Sequence, residues 1–369
     1  MNDEGVPVSD NGPASPDGRP GPGEDDRSIV GRAGPGGTGA GGPLHGVGSG
    51  EGRETQRRDG FRARVIAAVD QIGPLCAGID PSSDLLARWG LPDNASGLRE
   101  FSARCLEAFG GVAPVLKYQV AFFERHGAEG IKVLEEVIGS ARTSGSIVIA
   151  DAKRGDIGST AAAYAEAWLD QSSPLCSDAV TAVPYMGLGA LAPMFDRALS
   201  MGGGVIVVVR SSNPEGRWLQ TARVAGVAPA AGEGSRAGAE PDRRSSAEPD
   251  HGRSGAGAHA VEDALLASIA ELNRASAGAG HVGAVVGATL APSEFPLASL
   301  GGIVLSPGFG VQGGTASHLA RLFGGCPPGT VLANVSRSLL DAGPDIAPLR
   351  ARAIDMRDEI TAALSGARD

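Results

Sequence analysis

Hydrophobic positions along this chain follow two periods in alternation. Short apolar runs occur at 74–79 (PLCAGI), 113–117 (APVLK), 146–150 (SIVIA), 178–183 (DAVTAV), 205–209 (VIVVV), 282–287 (VGAVVG), 302–306 (GIVLS) and 330–335 (TVLANV). Runs of this length, rich in Val, Ile and Ala, predict strands buried on both faces. Between them lie REFSARCLEAF, AEGIKVLEEVIGSA, TAAAYAEAWLDQ, VEDALLASIAELNRA and ASHLARLF, whose apolar residues recur at helical spacing. Eight β-units separated by helices predict an α/β fold, a (β/α)8 TIM barrel, over a doubly wound open sheet.

The polar residues that follow the apolar runs sharpen that expectation. Asp80 follows the first run, Lys117 ends the second, and DAKRGDIGST (151–160) follows the third. Pro184-Tyr185, Ser211-Ser212-Asn213, Thr289, SPGFGVQGG (306–314) and Ser336-Arg337 follow the other five. In a barrel, the loops after the strands converge on one face, where a site is built. A single polar residue there would read as a helix cap; a ring of them reads as a site.

Two segments break the pattern. Residues 1–58 hold almost no large apolar side chains, and 225–259 (AGVAPAAGEGSRAGAEPDRRSSAEPDHGRSGAGAH) mixes both charge signs with Ala, Gly, Ser and Pro. Neither can bury enough surface to offset its ordering entropy. The expected organisation is therefore a disordered tail, 1–58, and a barrel domain, 59–369, interrupted by a disordered insert after the fifth strand. About 275 residues remain without the two segments, which suits one large domain.

Composition narrows the function classes. A net charge of −10 without a basic stripe argues against nucleic acid as a partner. No run of about 18 apolar residues predicts a membrane span. The start of the chain carries neither a secretory nor a transit pattern, so the expected location is cytoplasmic. Cys76, Cys105, Cys176 and Cys326 form no CxxC pair and read as reduced thiols. His126, His281 and His318, the histidines outside the biased segments, show no metal-ligand spacing, and no metal is expected.

The lysines carry more information. The chain has 29 arginines and three lysines, so generic positive charge is supplied by Arg. Lys132 lies in a charged helix face, whereas Lys117 and Lys153 are expected at strand ends. A Lys ammonium can serve as a general acid and an Arg guanidinium cannot. Strand alternation places Asp151 and Lys153 on one side, facing the barrel mouth, with Ala152 turned away. Arg154 then points outward as a structural residue, Gly155 makes the turn, and Asp156 starts the next helix. Opposite charges at this spacing keep Asp151 ionised and Lys153 protonated. At the other side of the mouth, Gln312, Gly313, Gly314 and Arg337 combine a glycine-rich turn with a guanidinium, which suits a phosphate group. No GxxxxGK[ST] loop is present, which leaves ATP hydrolysis without support.

DAKRGDIGST, together with GIDPS, LKYQVAFFERHG, PYMG, SSNPEG and SPGFGVQGG, closely resembles orotidine 5′-phosphate decarboxylases, in particular their bacterial type 2 subgroup. The likeness runs over about 60–224 and 260–365; the tail and the insert have no counterpart. The resemblance implies cofactor-free decarboxylation of orotidine 5′-monophosphate to UMP, the last step of de novo pyrimidine nucleotide synthesis. Lys153 would donate a proton to C6, and Asp151 would stand beside the departing carboxylate. Lys117 and Asp156 would complete the charged network. The same resemblance implies that Asp80 and Lys117 hold the ribose, Ser212 the pyrimidine, and Gln312, Gly313 and Arg337 the phosphate. It further implies a homodimer in which Asp156 and Thr160 reach the partner's site. Two other readings stay open: a Mg²⁺-dependent sugar-phosphate lyase or decarboxylase of the same barrel superfamily, and a noncatalytic phosphate-binding scaffold.

Overall fold

The structure is a computed structural model that describes residues 59–224, 259–293, 295–311 and 313–366. The strands in chain order are β1 (Leu75–Ile79), β2 (Val115–Gln119), β3 (Ile147–Arg154), β4 (Ala179–Ala182) and β5 (Gly204–Arg210). They continue with β6 (Arg223–Val224), β7 (His259–Ala260), β8 (Val282–Val286), β9 (Val304–Pro307) and β10 (Val331–Val335). The α-helices are α1 (Phe61–Ile72), α2 (Ser83–Arg88), α3 (Ala95–Phe109), α4 (Ala121–Glu124), α5 (Gly127–Thr143) and α6 (Gly158–Leu169). After them come α7 (Ala192–Met201), α8 (Arg217–Gln220), α9 (Val261–Ala275), α10 (Ala316–Phe323), α11 (Arg337–Leu340) and α12 (Ile346–Ser365).

Eight parallel strands close into a barrel in the order β1-β10-β9-β8-β5-β4-β3-β2, the (β/α)8 architecture that the apolar runs predict. Each strand is apolar on two faces because it is buried on two faces. Leu116, Val148 and Val180 face the surrounding helices, while Val115, Ile149 and Ala179 face the barrel interior. The helices answer with apolar stripes: α5 buries Val133, Leu134, Val137, Ile138 and Ala141, which lie along one side at helical spacing. The long C-terminal helix α12 packs between α3 and α10 and against β1, closing the outer ring.

The interior changes character along the barrel axis. At one end the aromatic ring of Phe61, from α1, plugs the opening; a Cβ on Gly204 would run into it. Above it sit Val115, Ile149, Ala179 and Leu332. Two residues further along the same four strands come Lys117, Asp151, Thr181 and Asn334, all buried. The period of two sends residues i and i+2 to the same side, so apolar and polar layers share the interior.

Several expectations are corrected. Lys117 lies in the middle of β2, since that strand runs on to Gln119. β3 extends through Arg154, so Asp151 and Lys153 are strand residues instead of residues beyond a strand. Asp156 does not start α6: the helix begins at Gly158, its N-cap is Ile157, and the Asp156 Oδ1 accepts a hydrogen bond from the Ile157 N–H at 2.8 Å. Gly155 has no left-handed backbone; what it provides is space, because a Cβ there would strike the Val183 carbonyl oxygen.

The disorder expected for 1–58 and for 225–258 lies outside the described residues. His259, assigned to the insert by composition, belongs to β7. There β6 and β7 form an antiparallel ribbon with Val224 opposite His259 and Arg223 opposite Ala260. The ends of the insert are thus already a hairpin stem, of the width that a two-residue Asn-Gly turn spans. Replacing 225–258 with Asn-Gly should leave the melting temperature unchanged or raise it by a few degrees, because loop closure costs less for a shorter loop. A melt lowered by about 5 °C or more would show that the segment supports the barrel.

Candidate active site

The layer of buried polar residues opens into a cleft lined by Asp80, Lys117, Gln119, Asp151, Phe309, Asn334, Ser336 and Arg337, among others. The cleft lies at the ends of the strands where the following loops converge. Lys117 and Asp151 meet in it because β2 and β3 pair in parallel with Gln119 opposite Asp151, placing Lys117 one interior step earlier. Lys117 Nζ donates to Asp151 Oδ2 at 2.9 Å, and Lys153 Nζ donates to Asp151 Oδ1 at 2.6 Å. Lys117 and Asp151 are buried, whereas the Lys153 side chain is 47% exposed at the mouth.

Burial pushes the Asp151 pKa upward, but the Lys117 and Lys153 ammoniums outweigh it and hold the carboxyl well below the usual carboxylate range. For Lys117, burial favours the neutral amine, yet the charges of Asp151 and Asp80 keep its pKa above that of an ordinary lysine. Burial likewise raises the Cys76 thiol to about 12, so it remains protonated beside the Asn334 side chain, whose Nδ2 donates to the Cys76 carbonyl at 3.1 Å.

Asp80, immediately after β1, shows a different state. Its Oδ1 is buried and accepts no hydrogen bond. A buried acceptor without a donor carries a desolvation cost that a ligand hydroxyl in the same cleft would remove. Arg337, the first residue of α11, is exposed and lines the cleft on the side of the 306–314 loop. In that loop the Val311 N–H is fixed by Ser338 Oγ at 3.0 Å.

The remaining expected site residues lie elsewhere within this one chain. Asp156 is partly exposed and Thr160, in the first turn of α6, is exposed; neither lines the cleft. Ser212 is exposed, while Ser211 is tied down, its Oγ accepting from Gln220 Nε2 at 2.8 Å. Gly313 takes up a left-handed backbone (φ 88°), and its N–H donates to the Gly310 carbonyl at 2.8 Å. Gln312 lies outside the described residues. Arg154 points outward as expected: it pairs with Glu124, and its guanidinium lies over the rings of Tyr164 and Trp168 at 5.7 and 5.6 Å.

Three polar residues of the cleft region escaped the sequence reading: Gln119, Asn334 and Thr181. Thr181 and Asn334 are each a lone polar residue in an apolar strand, the one signal that could have exposed them; Gln119 ends β2, two residues after Lys117. Thr181, in β4, donates to Asp151 Oδ1 at 2.8 Å and accepts from the Lys153 N–H at 2.9 Å. Both Asp151 oxygens therefore carry partners: Lys153 and Thr181 on one, Lys117 on the other.

Comparison with known proteins gives a consistent result. Residues 73–351 match the family model described as the orotidine 5′-phosphate decarboxylase / HUMPS family. The orotidine 5′-phosphate decarboxylase of Salinispora arenicola is 46% identical over 308 residues, covering 84% of this chain and 99% of that protein. Its counterpart in Corynebacterium glutamicum is 42% identical over 294 residues, 79% of this chain and 94% of the relative. A crystal structure of a putative orotidine 5′-phosphate decarboxylase from Streptomyces avermitilis superposes with a TM-score of 0.70 at 41% identity, covering 83% of this chain and 96% of that one.

The charge pair dictates a pH dependence. Asp151, with its lowered pKa, contributes stability above the ~3.9 of an unfolded aspartate and loses it as pH falls through the folded value. Lys117, with its raised pKa, contributes below the ~10.4 of an unfolded lysine and loses that contribution as pH rises through the folded value. The stabilisation from the pair is thus fully present from about pH 5 to about pH 9. Lys117→Met should lose about 3–5 kcal/mol at pH 7. It should also shift the acid limb of unfolding to higher pH, since Asp151 keeps one ammonium in place of two. Urea unfolding between pH 2 and pH 8 measures both, and an unmoved acid limb would rule out Lys117 as the group that holds Asp151 ionised.

Proposed function

This chain belongs to the orotidine 5′-phosphate decarboxylase / HUMPS family, and we propose that it decarboxylates orotidine 5′-monophosphate to UMP with fixed charges alone. The observation that carries the reading is the buried Asp151 carboxylate held ionised between two lysines in a cleft that also presents the unpartnered Asp80 Oδ1. Breaking the bond between C6 and the carboxylate leaves an electron pair on C6 as carbon dioxide departs. Catalysis then requires an environment that favours this carbanion over the starting carboxylate.

Asp151 and Lys153 supply that difference. A substrate carboxylate placed beside ionised Asp151 is disfavoured, and the repulsion ends when carbon dioxide leaves. Lys153, exposed at the mouth, stabilises the electron pair on C6 and transfers a proton to it from Nζ. The neutral amine is then reprotonated by solvent. Asp80 accepts a ribose hydroxyl and Lys117 donates to one, while Arg337 receives the phosphate together with Gly313 and Gln312. Ser212 serves the pyrimidine; with Ser211 engaged by Gln220, it is the serine of the pair left for a ligand.

The proposed reaction requires no metal, and Asp151 is poorly placed to hold one. A cation seeking this carboxylate would have to displace Lys153 and Thr181 from Oδ1 or Lys117 from Oδ2. A homodimer is part of the same reading. Asp156 precedes the exposed Ile157 and Thr160 follows in the first turn of α6, while the exposed Tyr185 and Met186 lie on the loop after the adjacent strand β4. Apolar exposure of this kind suits a surface covered by a second copy, to whose site Asp156 and Thr160 would contribute. A cytoplasmic location fits too: all four cysteines are buried, and no helix among the described residues is long and apolar enough to cross a membrane.

The purified protein should consume orotidine 5′-monophosphate, followed as its loss of absorbance, at the same rate with and without EDTA. Lys153→Ala should lose at least about a thousandfold in kcat, and Arg337→Ala should act mainly through a higher KM. Turnover that EDTA abolishes would instead favour the Mg²⁺-dependent lyase. The shared site has its own check. Lys153→Ala and Asp156→Ala, each inactive alone, should regain about a quarter of full activity when their subunits are mixed and exchanged, because half of the mixed sites are intact. No recovery after demonstrated exchange would place Asp156 in its own subunit's site.

A further inference from the structure

Lys153 is one of two residues among those described, other than glycine, with a left-handed backbone: its φ is 48°. For a side chain with a β-carbon this conformation is strained and persists only where the surroundings impose it. It falls where the pairing of β3 with β4 shifts register, between Ala150 and Arg154. Irregularities of this kind re-aim a side chain at the cost of ladder hydrogen bonds. Here the Lys153 N–H donates to the side-chain Oγ1 of Thr181 at 2.9 Å, which takes the place of a ladder carbonyl. The hydroxyl proton of the same Thr181 goes to Asp151 Oδ1 at 2.8 Å, the oxygen that also receives Lys153 Nζ at 2.6 Å. Thr181, Asp151 and Lys153 therefore form a closed ring of hydrogen bonds, and Thr181 is itself 1% exposed.

We infer that Thr181 is a positioning residue, whose hydroxyl holds Lys153 in its left-handed conformation and so aims the Nζ proton at the reacting carbon. The inference rests on the proposed decarboxylation only in naming where that proton goes; the aim itself is a property of the fold. Neither partner alone would suffice. Without the hydroxyl, the Lys153 N–H loses its acceptor and Asp151 Oδ1 loses a donor, while the ribose and phosphate contacts are untouched. A misplacement of about 1 Å in a proton donor costs on the order of a hundredfold in rate. The effect should therefore appear in kcat and spare KM.

The test compares Thr181→Val, which keeps the shape and removes the hydroxyl, with Thr181→Ser, which keeps the hydroxyl. Thr181→Val should lose about tenfold to a hundredfold in kcat with KM changed less than about threefold, and Thr181→Ser should recover most of the loss. Because the chain has three lysines, the 13Cε signals of lysine-labelled protein can be assigned with single variants. The Lys153 signal should move in Thr181→Val and stay near its wild-type position in Thr181→Ser, a readout that loss of general stability would not reproduce. If Thr181→Val shows no cooperative melt, Thr181→Ala takes the same measurements. Wild-type kcat in the hydroxyl-less variant with an unmoved Lys153 signal overturns the inference, as does an equal loss in Thr181→Ser. A wild-type protein inactive on orotidine 5′-monophosphate overturns the proposed reaction instead, and the Lys153 signal then still decides the positioning role.

Discussion

The arrangement of the candidate site depends on one constraint: a carboxylate in the barrel interior must stay charged. Moving an ionised carboxyl out of water costs several kcal/mol even after relaxation. Asp151 meets that cost with a close ammonium on each oxygen and a hydroxyl besides. Lys117 faces the same penalty and meets it through Asp151 and Asp80. Asp80, Lys117, Asp151 and Lys153 therefore form a quartet of two acidic and two basic side chains, in which the two lysines hold Asp151 ionised and the two aspartates hold Lys117 protonated. Removing Lys117 or Asp151, the two buried members, does not subtract a quarter of the interaction; it leaves a buried charge under-compensated in a medium of low polarity.

The composition of the quartet has a consequence for binding in the proposed reaction. A core of two acidic and two basic groups offers little net attraction to a phosphorylated anion, so the proposed capture would fall to groups outside it, such as Arg337 at the rim. Binding energy is then collected at one end of the ligand and applied at the other, where ionised Asp151 opposes a second carboxylate. The division also explains the layering of the barrel. The charged layer rests on the buried side chains of Val115, Ile149, Ala179 and Leu332, with Phe61 closing the far end.

The parts of this picture that were legible in the sequence are those written in neighbouring residues. Eight apolar runs give eight barrel strands, and the spacing of Asp151 and Lys153 puts both on the interior side. The agreement for Lys153 came by a different route from simple alternation, since the strand is irregular there and residue 153 is left-handed. The start of α6 was misplaced because an acidic residue before a helical pattern looks like a cap; Asp156 instead bonds the adjacent N–H and leaves the capping position to Ile157. Thr181 and Asn334 were illegible for another reason. Threonine is an ordinary strand former, and one polar residue in an apolar run acquires meaning only when the neighbouring strand is set against it.

The same neighbouring strand shows how a strained residue can be held still. Around Lys153 the chain is fastened on both sides of β3. On the inside, Thr181 takes the Lys153 N–H and Asp151 takes the Lys153 ammonium. On the outside, Arg154 is held between Glu124 and the rings of Tyr164 and Trp168, and its carbonyl accepts the Val183 N–H at 2.8 Å, which restores the ladder beyond the irregularity. Gly155 then lets the backbone pass close under Val183. Strain at residue 153 is confined between two fixed points, so it cannot relax by sliding along the strand. A long flexible side chain loses positional accuracy with every rotatable bond, and the barrel limits that loss at Lys153 by fixing both the backbone at its root and the carboxylate at its tip.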